Sequence, residues 1–274
     1  MKLLERKHGS VTPTVFGQHV LERAGALLTA EIDLRREIAL LANKEIGSLK
    51  VAFGPYQSLM SGYPGIARLL ARYPKIKVAA HTADWRDVVQ QVAARTVDLG
   101  IAEIAYLHGN EKFSTELAGQ HRGYFFCRPG HPLLKRKQIA LKNLLEFPWA
   151  ASRLPSRIAE NFPDSLGTAG TIDLASGDFV PAIEIDMPMQ LPKFLEGSDV
   201  LAIATLTIME QALLAGKVVV VPTRALPLQT NYGFIYLRDR TLPPAVLAFM
   251  QVVREVEGEI TKTEISLAAQ FGLA

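Results

Sequence analysis

A chain of 274 residues that is 49% hydrophobic and 21% charged has the composition of a folded globular protein of one large or two medium domains, which excludes a disordered one. Its formal net charge of +3 carries no concentrated Lys/Arg block, so charge alone decides nothing about nucleic acid. Cys127 is the only cysteine, which rules out an internal disulfide and a zinc site built from several thiolates.

The opening Met1-Lys2-Leu3-Leu4-Glu5-Arg6-Lys7 becomes charged too early for a signal peptide, and no later run approaches the roughly 18 apolar residues of a membrane span. A cytoplasmic protein without a membrane partner is expected. A long helix is predicted from Thr12, as N-cap, with Pro13 at its first position, to about Asn43. Val20, Leu27, Leu34 and Leu41 recur every seven residues, with Ala24, Glu31 and Ile38 between them, which is a heptad seam that needs a partner helix. At 1.5 Å per residue such a rod is roughly 48 Å long, too amphipathic to stand alone in water.

Strands and helices then alternate. Strands are predicted at Leu49 to Gly54, Lys77 to His81 and Val97 to Glu103, with helices at Pro64 to Tyr73 (apolar face Ile66, Leu69, Leu70, Tyr73) and Trp85 to Arg95. This βαβαβ succession argues for a parallel sheet. A strand from Tyr124 to Arg128, with Cys127 as a buried thiol, precedes a second series. Its helices are expected at Leu141 to Leu145, Ser156 to Phe162, Pro188 to Glu196 and Ile208 to Ala215, and its strands at Trp149 to Ser152, Ala182 to Ile185, Val200 to Ala204 and Lys217 to Val221. A last strand, Tyr232 to Leu237, and a closing helix, Pro243 to Glu259 with Val246, Phe249, Met250 and Val253 inward, complete an α/β reading.

Several short stretches resemble LysR-type transcriptional regulators. Leu3-Leu4-Glu5-Arg6-Lys7, Val11-Thr12-Pro13-Thr14 and Gly17 are similar to the end of a winged helix-turn-helix and the start of a linker helix. Gly47-Ser48-Leu49-Lys50-Val51, Val97-Asp98-Leu99-Gly100-Ile101, His131-Pro132-Leu133 and Leu242-Pro243-Pro244-Ala245 with Phe249 resemble successive parts of the effector domain, in the right order and spacing. The resemblance implies two Rossmann-like lobes of the type 2 periplasmic-binding-protein kind, with the chain crossing twice between them. Residues 1–12 would be the winged helix-turn-helix remnant, 13–46 the linker and dimerisation helix, 47–127 with 231–274 lobe I, and 128–230 lobe II. It also implies a homodimer or homotetramer, and DNA as partner of the full-length protein. The recognition helix of that family precedes Leu3, so sequence-specific DNA reading is not expected of this chain as written. Arg95 stands where the family usually has a glycine.

Ligands of such folds bind beyond strand ends and between lobes. The candidate contacts for a small-molecule effector, an organic acid by preference, are therefore Tyr56, Gln57, Ser58, Thr82, Ala83 and Glu103 from lobe I and Ser152, Arg153, Pro188, Met189 and Thr205 from lobe II. Arg153 is the natural fork for a carboxylate. Arg6 and Lys7 are candidates for DNA phosphate contacts, which position without specifying. The 6 histidines have no zinc-ligand spacing, and neither a Gly-x-Ser-x-Gly elbow nor a phosphate loop occurs; no enzyme, metal or cofactor is expected. A solute-binding protein of a transport system shares the lobed fold and differs in needing an export signal.

Overall fold

The computed structural model describes residues 2–7, 10–21, 23, 24, 31, 34, 47–223, 225, 226 and 228–273. It begins with a hairpin of β1 (Leu4–Lys7) and β2 (Ser10–Pro13), in which Leu4 faces Pro13 and Glu5 faces Thr12. Thr12 and Pro13 thus lie in a strand, not at a helix start. The cap is Thr14, whose Oγ1 accepts from Gly17 N at 3.0 Å and donates to Lys2 O at 2.8 Å. A Cβ on Gly17 would meet Leu3 O at 1.9 Å, so only glycine lets the helix start pack on the hairpin. Residues 15–21 are helical. Of the heptad seam, Val20 and Leu34 are exposed, and Leu27 and Leu41 lie outside the described residues.

The first of two five-stranded sheets has the order β4-β3-β5-β14-β6, from β3 (Ser48–Phe53), β4 (Lys77–Thr82), β5 (Leu99–Glu103), β6 (Phe113–Arg122) and β14 (Gln229–Leu237). The three predicted parallel strands pair as expected. The sheet is nevertheless mixed, because β14 inserts antiparallel between β5 and β6. The edge strand β6 carries no strand signal of its own, because its sequence, Phe-Ser-Thr-Glu-Leu-Ala-Gly-Gln-His-Arg, offers only a weak apolar alternation. Helices α1 (Tyr63–Arg72) and α2 (Trp85–Ala93) cover the sheet. On α1 the buried positions are Gly65 and Leu69, and Leu70 is exposed. Arg95 has φ of +58°, the left-handed geometry that costs a residue with a Cβ about 1 kcal/mol relative to glycine.

The second sheet has the order β11-β8-β12-β7-β13, from β7 (Tyr124–Cys127), β8 (Trp149–Ala151), β11 (Ile183–Glu184), β12 (Leu201–Ala204) and β13 (Val219–Val220). A short hairpin of β9 (Gly170–Ile172) and β10 (Phe179–Pro181) stands beside it. Trp149 anchors this core: it is fully buried, packs on Phe125, Phe162 and Phe179, and donates from Nε1 to Leu144 O at 2.9 Å. Helices α3 (Leu141–Leu144), α4 (Ser156–Ala159), α5 (Leu191–Leu195) and α6 (Leu206–Leu214) complete the layer. Because β7 pairs with β12 and β13, the chain leaves the first sheet at Gly123, before Tyr124 and not after Cys127. There Gly123 N donates to Leu228 O at 2.7 Å, so the outward and return crossings lie side by side.

The closing helix α7 (Pro244–Gln270) extends well past the predicted end at Glu259. Val246, Phe249, Met250 and Val253 are buried in the first core. Leu267, with Phe271 just beyond the helix, packs into the second. The segment from Glu257 to Glu264 between these ends is polar apart from Gly258 and the buried Ile260, which hides the continuation in the sequence. One helix therefore straps both lobes together.

Candidate functional site

The two sheets face each other across a cleft into which the ends of β3, β5, β8 and β12 lead. After β3 the chain turns at Gly54, where a Cβ would meet Gln57 Oε1 at 2.2 Å, into a helical turn, Pro55–Gln57, and a π-helical turn, Ser58–Gly62. This turn aims Tyr56 across the cleft, and its hydroxyl donates to Ile203 O of the opposite lobe at 2.6 Å. Burial holds the Tyr56 phenol well above its usual pKa, so it stays a donor.

Two ion pairs close the rest of the cleft. Arg157 Nη2 donates to Glu103 Oε2 at 2.9 Å and to Gln229 O at 2.8 Å. Glu103 Oε1 also accepts from Ala105 N at 3.2 Å. Arg86, stacked 4.1 Å over the Trp85 ring, forks onto Asp178 with two bonds of 2.9 Å. Between these contacts lies a cavity of about 40 Å³, whose walls include Met60, Leu154, Ile158, Ile203 and Leu228.

The candidate residues divide accordingly. Tyr56 and Thr205 line the cavity, and Glu103, outside its wall, accepts from Arg157 of the opposite lobe. Thr205 is buried, accepts from Ile208 N at 3.5 Å and lies 3.8 Å from Met60 Sδ. Gln57 and Ser58 are buried, with Ser58 Oγ donating to Pro55 O at 2.7 Å. Thr82 lies 3.4 Å from the Tyr63 hydroxyl, and Ala83 N donates to Phe53 O. Ser152 turns to Ile185 O at 2.8 Å. Arg153 is not a free fork: its Nε donates to Glu184 at 3.1 Å and its Nη1 to Asp173 at 2.9 Å, so two carboxylates of its own lobe already neutralise it. Pro188 is buried and Met189 exposed. Arg157, Arg86 and Asp178 are cleft groups that strand ends alone do not indicate, since none directly follows a predicted strand; the signal for Arg157 is its place on the helix after β8. Arg6 and Lys7 lie on β1.

A second polar cluster sits where α7 passes from one lobe to the other. His121, on β6 and 2% exposed, has Nε2 at 2.8 Å from Glu257 and Nδ1 at 2.8 Å from Glu264. Tyr232 on β14 donates to Glu257, and Thr207 of the second lobe donates to Glu264 at 3.2 Å. Burial pulls the His121 pKa down, but the hydrogen bonds and charges of the two glutamates outweigh it and lift it to about 9. Both ring nitrogens therefore donate from an imidazolium.

The family model of the LysR substrate binding domain matches residues 42–258. The chain belongs to the LysR family. It is similar to the SDS degradation transcriptional activation protein of Pseudomonas sp. (strain ATCC 19151), with 28% identity over 92% of this chain and 81% of that protein. The transcriptional regulator CbbR of Cereibacter sphaeroides is 24% identical over 93% of this chain and 77% of its own length. In fold, the regulatory domain of the LysR family regulator MetR from Neisseria meningitidis matches with a TM-score of 0.61, at 15% identity, over 78% of this chain and 94% of that one. The protein is thus a LysR-family transcriptional regulator carrying an effector-binding domain of the periplasmic-binding-protein type, and its relatives are regulators, not transport receptors. No helix among the described residues is long and apolar enough to cross a membrane.

Proposed function

We propose that the cleft between the two sheets receives the effector and that its binding resets the angle between the lobes. Lobe I comprises 47–123 with 229–274, and lobe II 124–228. The observation that carries this is the closed cleft itself, where Tyr56, Arg157 and Arg86 each bond across to the other lobe around an apolar cavity. A ligand that binds one lobe angle more tightly shifts the population toward it, and the linker helices pass that shift to the DNA-binding part. The regulator works in the cytoplasm by binding and not by turnover, with Arg6 and Lys7 of the hairpin at DNA phosphates. A compound at 100 times its Kd stabilises the protein by about 2.7 kcal/mol, which thermal-shift titration of a metabolite panel detects. Scattering on the same mixture should then report a changed radius of gyration. A stabilising compound that leaves the radius unchanged and binds Tyr56→Phe and Arg157→Gln as it binds wild type would place the effector elsewhere.

We also propose that the Val20, Leu27, Leu34 and Leu41 seam pairs two chains, and that the assembly is a dimer or a dimer of dimers. Sedimentation velocity at micromolar concentration is expected to give at least a dimer for the wild type and a smaller species for Leu27→Glu combined with Leu34→Glu. An unchanged assembly in the double variant sets the interface elsewhere.

A further inference from the structure

Resting on the reading that the cleft holds the effector, we infer that the effector is an amphipathic acid, an aliphatic chain carrying an anionic headgroup, with the chain in the inter-lobe cavity and the headgroup at Arg157. The walls decide the first half. Met60, Leu154, Ile158, Ile203 and Leu228 present side chains without polar atoms suited to a carboxylate or hydroxyl, and cavities lined in this way stay dry and take up apolar ligands. Three of the four polar residues in the wall are committed, Thr230 through its bond to His121 O at 3.4 Å, and the fourth, Gln229, is exposed. Tyr56 donates to Ile203 O, and Thr205 caps α6.

The headgroup follows from Arg157, which is outside the wall itself but next in sequence to the wall residue Ile158. Arg157 Nη2 bonds Glu103 and the carbonyl of Gln229, and Gln229 is itself part of the cavity wall. Arg157 Nε is buried and has no acceptor among the described residues. A buried cationic donor without a partner is a costly arrangement that an anionic oxygen removes. Such an oxygen reaches Nε without displacing Glu103, which keeps its bonds to Ala105 N and to Nη2. A cationic ligand is disfavoured at this point, because it would meet the Arg157 guanidinium as a like charge. Arg153, the other arginine of this face, is held by Asp173 and Glu184 and offers an acid much less.

The same geometry links the ligand to conformation. About 40 Å³ admits only part of a chain, so a longer one must part Tyr56 from Ile203. The chain length thereby sets how far the lobes separate.

The test uses three probes by calorimetry: octanoate, 1-octanol and succinate, against wild type, Arg157→Gln at the partly exposed head position, and Ile158→Phe, which fills the cavity. Circular dichroism confirms that each variant folds. Octanoate is expected to bind wild type at least tenfold more tightly than either other probe, and to lose about tenfold in each variant. Octanol should lose affinity only in Ile158→Phe. Octanoate binding Arg157→Gln as wild type overturns the headgroup assignment, and failure of octanoate to bind wild type overturns the class. Succinate binding more tightly than octanoate, and lost in Arg157→Gln, overturns the amphipathic class while leaving the cleft as the effector site. Octanoate affinity untouched by both substitutions overturns the cleft reading as well.

Discussion

Raising the pH from 6.5 to 9 is expected to remove roughly 3 kcal/mol of stability through His121 alone. The ordinary value of 6.5 is lifted to about 9 in the fold, and each tenfold gain in proton affinity corresponds to about 1.4 kcal/mol. The folded state therefore holds this proton more tightly than the unfolded chain does. Its contribution is fully present below about pH 6.5 and is lost as the pH climbs through about 9. The groups that face the imidazole are Glu257 and Glu264 from α7, Tyr232 from β14, and, through Glu264, Thr207 from α6. The buried Cys127 thiol, pushed up to about 12 by burial, adds a loss of the same sign only above pH 9, so the window below 9 reports on the histidine. Urea midpoints at pH 6, 7, 8 and 9 should fall steadily for the wild type and stay nearly level for His121→Asn. Parallel profiles for the two proteins would mean that the imidazole is not the titrating group. Because the cluster joins β6 and β14 to the second lobe through α7, its loss should also loosen the strap between the lobes.

How much of this was legible depends on whether the determining contacts are local. The parallel succession β3, β4, β5 could be read because each strand and its helix carry their own period. The hairpin, the mixed sheet and the full length of α7 could not. β6 is stabilised by its partner β14, more than a hundred residues away, and the end of α7 by burial of Leu267 against the other lobe. The site divides in the same way. Tyr56, Glu103 and Thr205 sit where a strand ends, and that position alone sends them to the cleft. Arg153 lies in the loop after β8 and Arg157 on the short helix that follows, and neither setting by itself tells which arginine faces the cleft. The choice is made by Asp173 and Glu184, which reach back to Arg153 from 20 and 31 residues downstream, and by Glu103, which reaches across the cleft to Arg157.

Arg86→Ala is expected to destabilise the protein by about 2 kcal/mol and to open the cleft. Asp178 has a side chain 0% exposed, and it accepts both Arg86 bonds together with one from Ser156 N at 3.0 Å. Removing the guanidinium leaves a buried carboxylate with a single backbone donor, the situation in which breaking an ion pair costs about 3–5 kcal/mol. Arg86 is itself 38% exposed, so solvent screens part of the pair and the lower figure follows. Asp84, the N-cap of α2, is a further nearby carboxyl whose pKa is raised mainly by desolvation and also by Asp178, so losing the cation leaves like charges facing each other. Arg86→Lys should restore only part of the loss, since an ammonium cannot match the two-bond fork. In an Asp178→Asn background, Arg86→Ala should cost clearly less, because no buried charge remains to be stranded. Urea unfolding measures the energies, and small-angle scattering measures the radius of gyration, which should rise in Arg86→Ala. An equal cost in both backgrounds would show that Arg86 acts through its stacking on Trp85 and not as an inter-lobe latch. As a latch, its removal raises the population of the open form, and a ligand that requires parted lobes then binds more tightly by the factor by which that population grows.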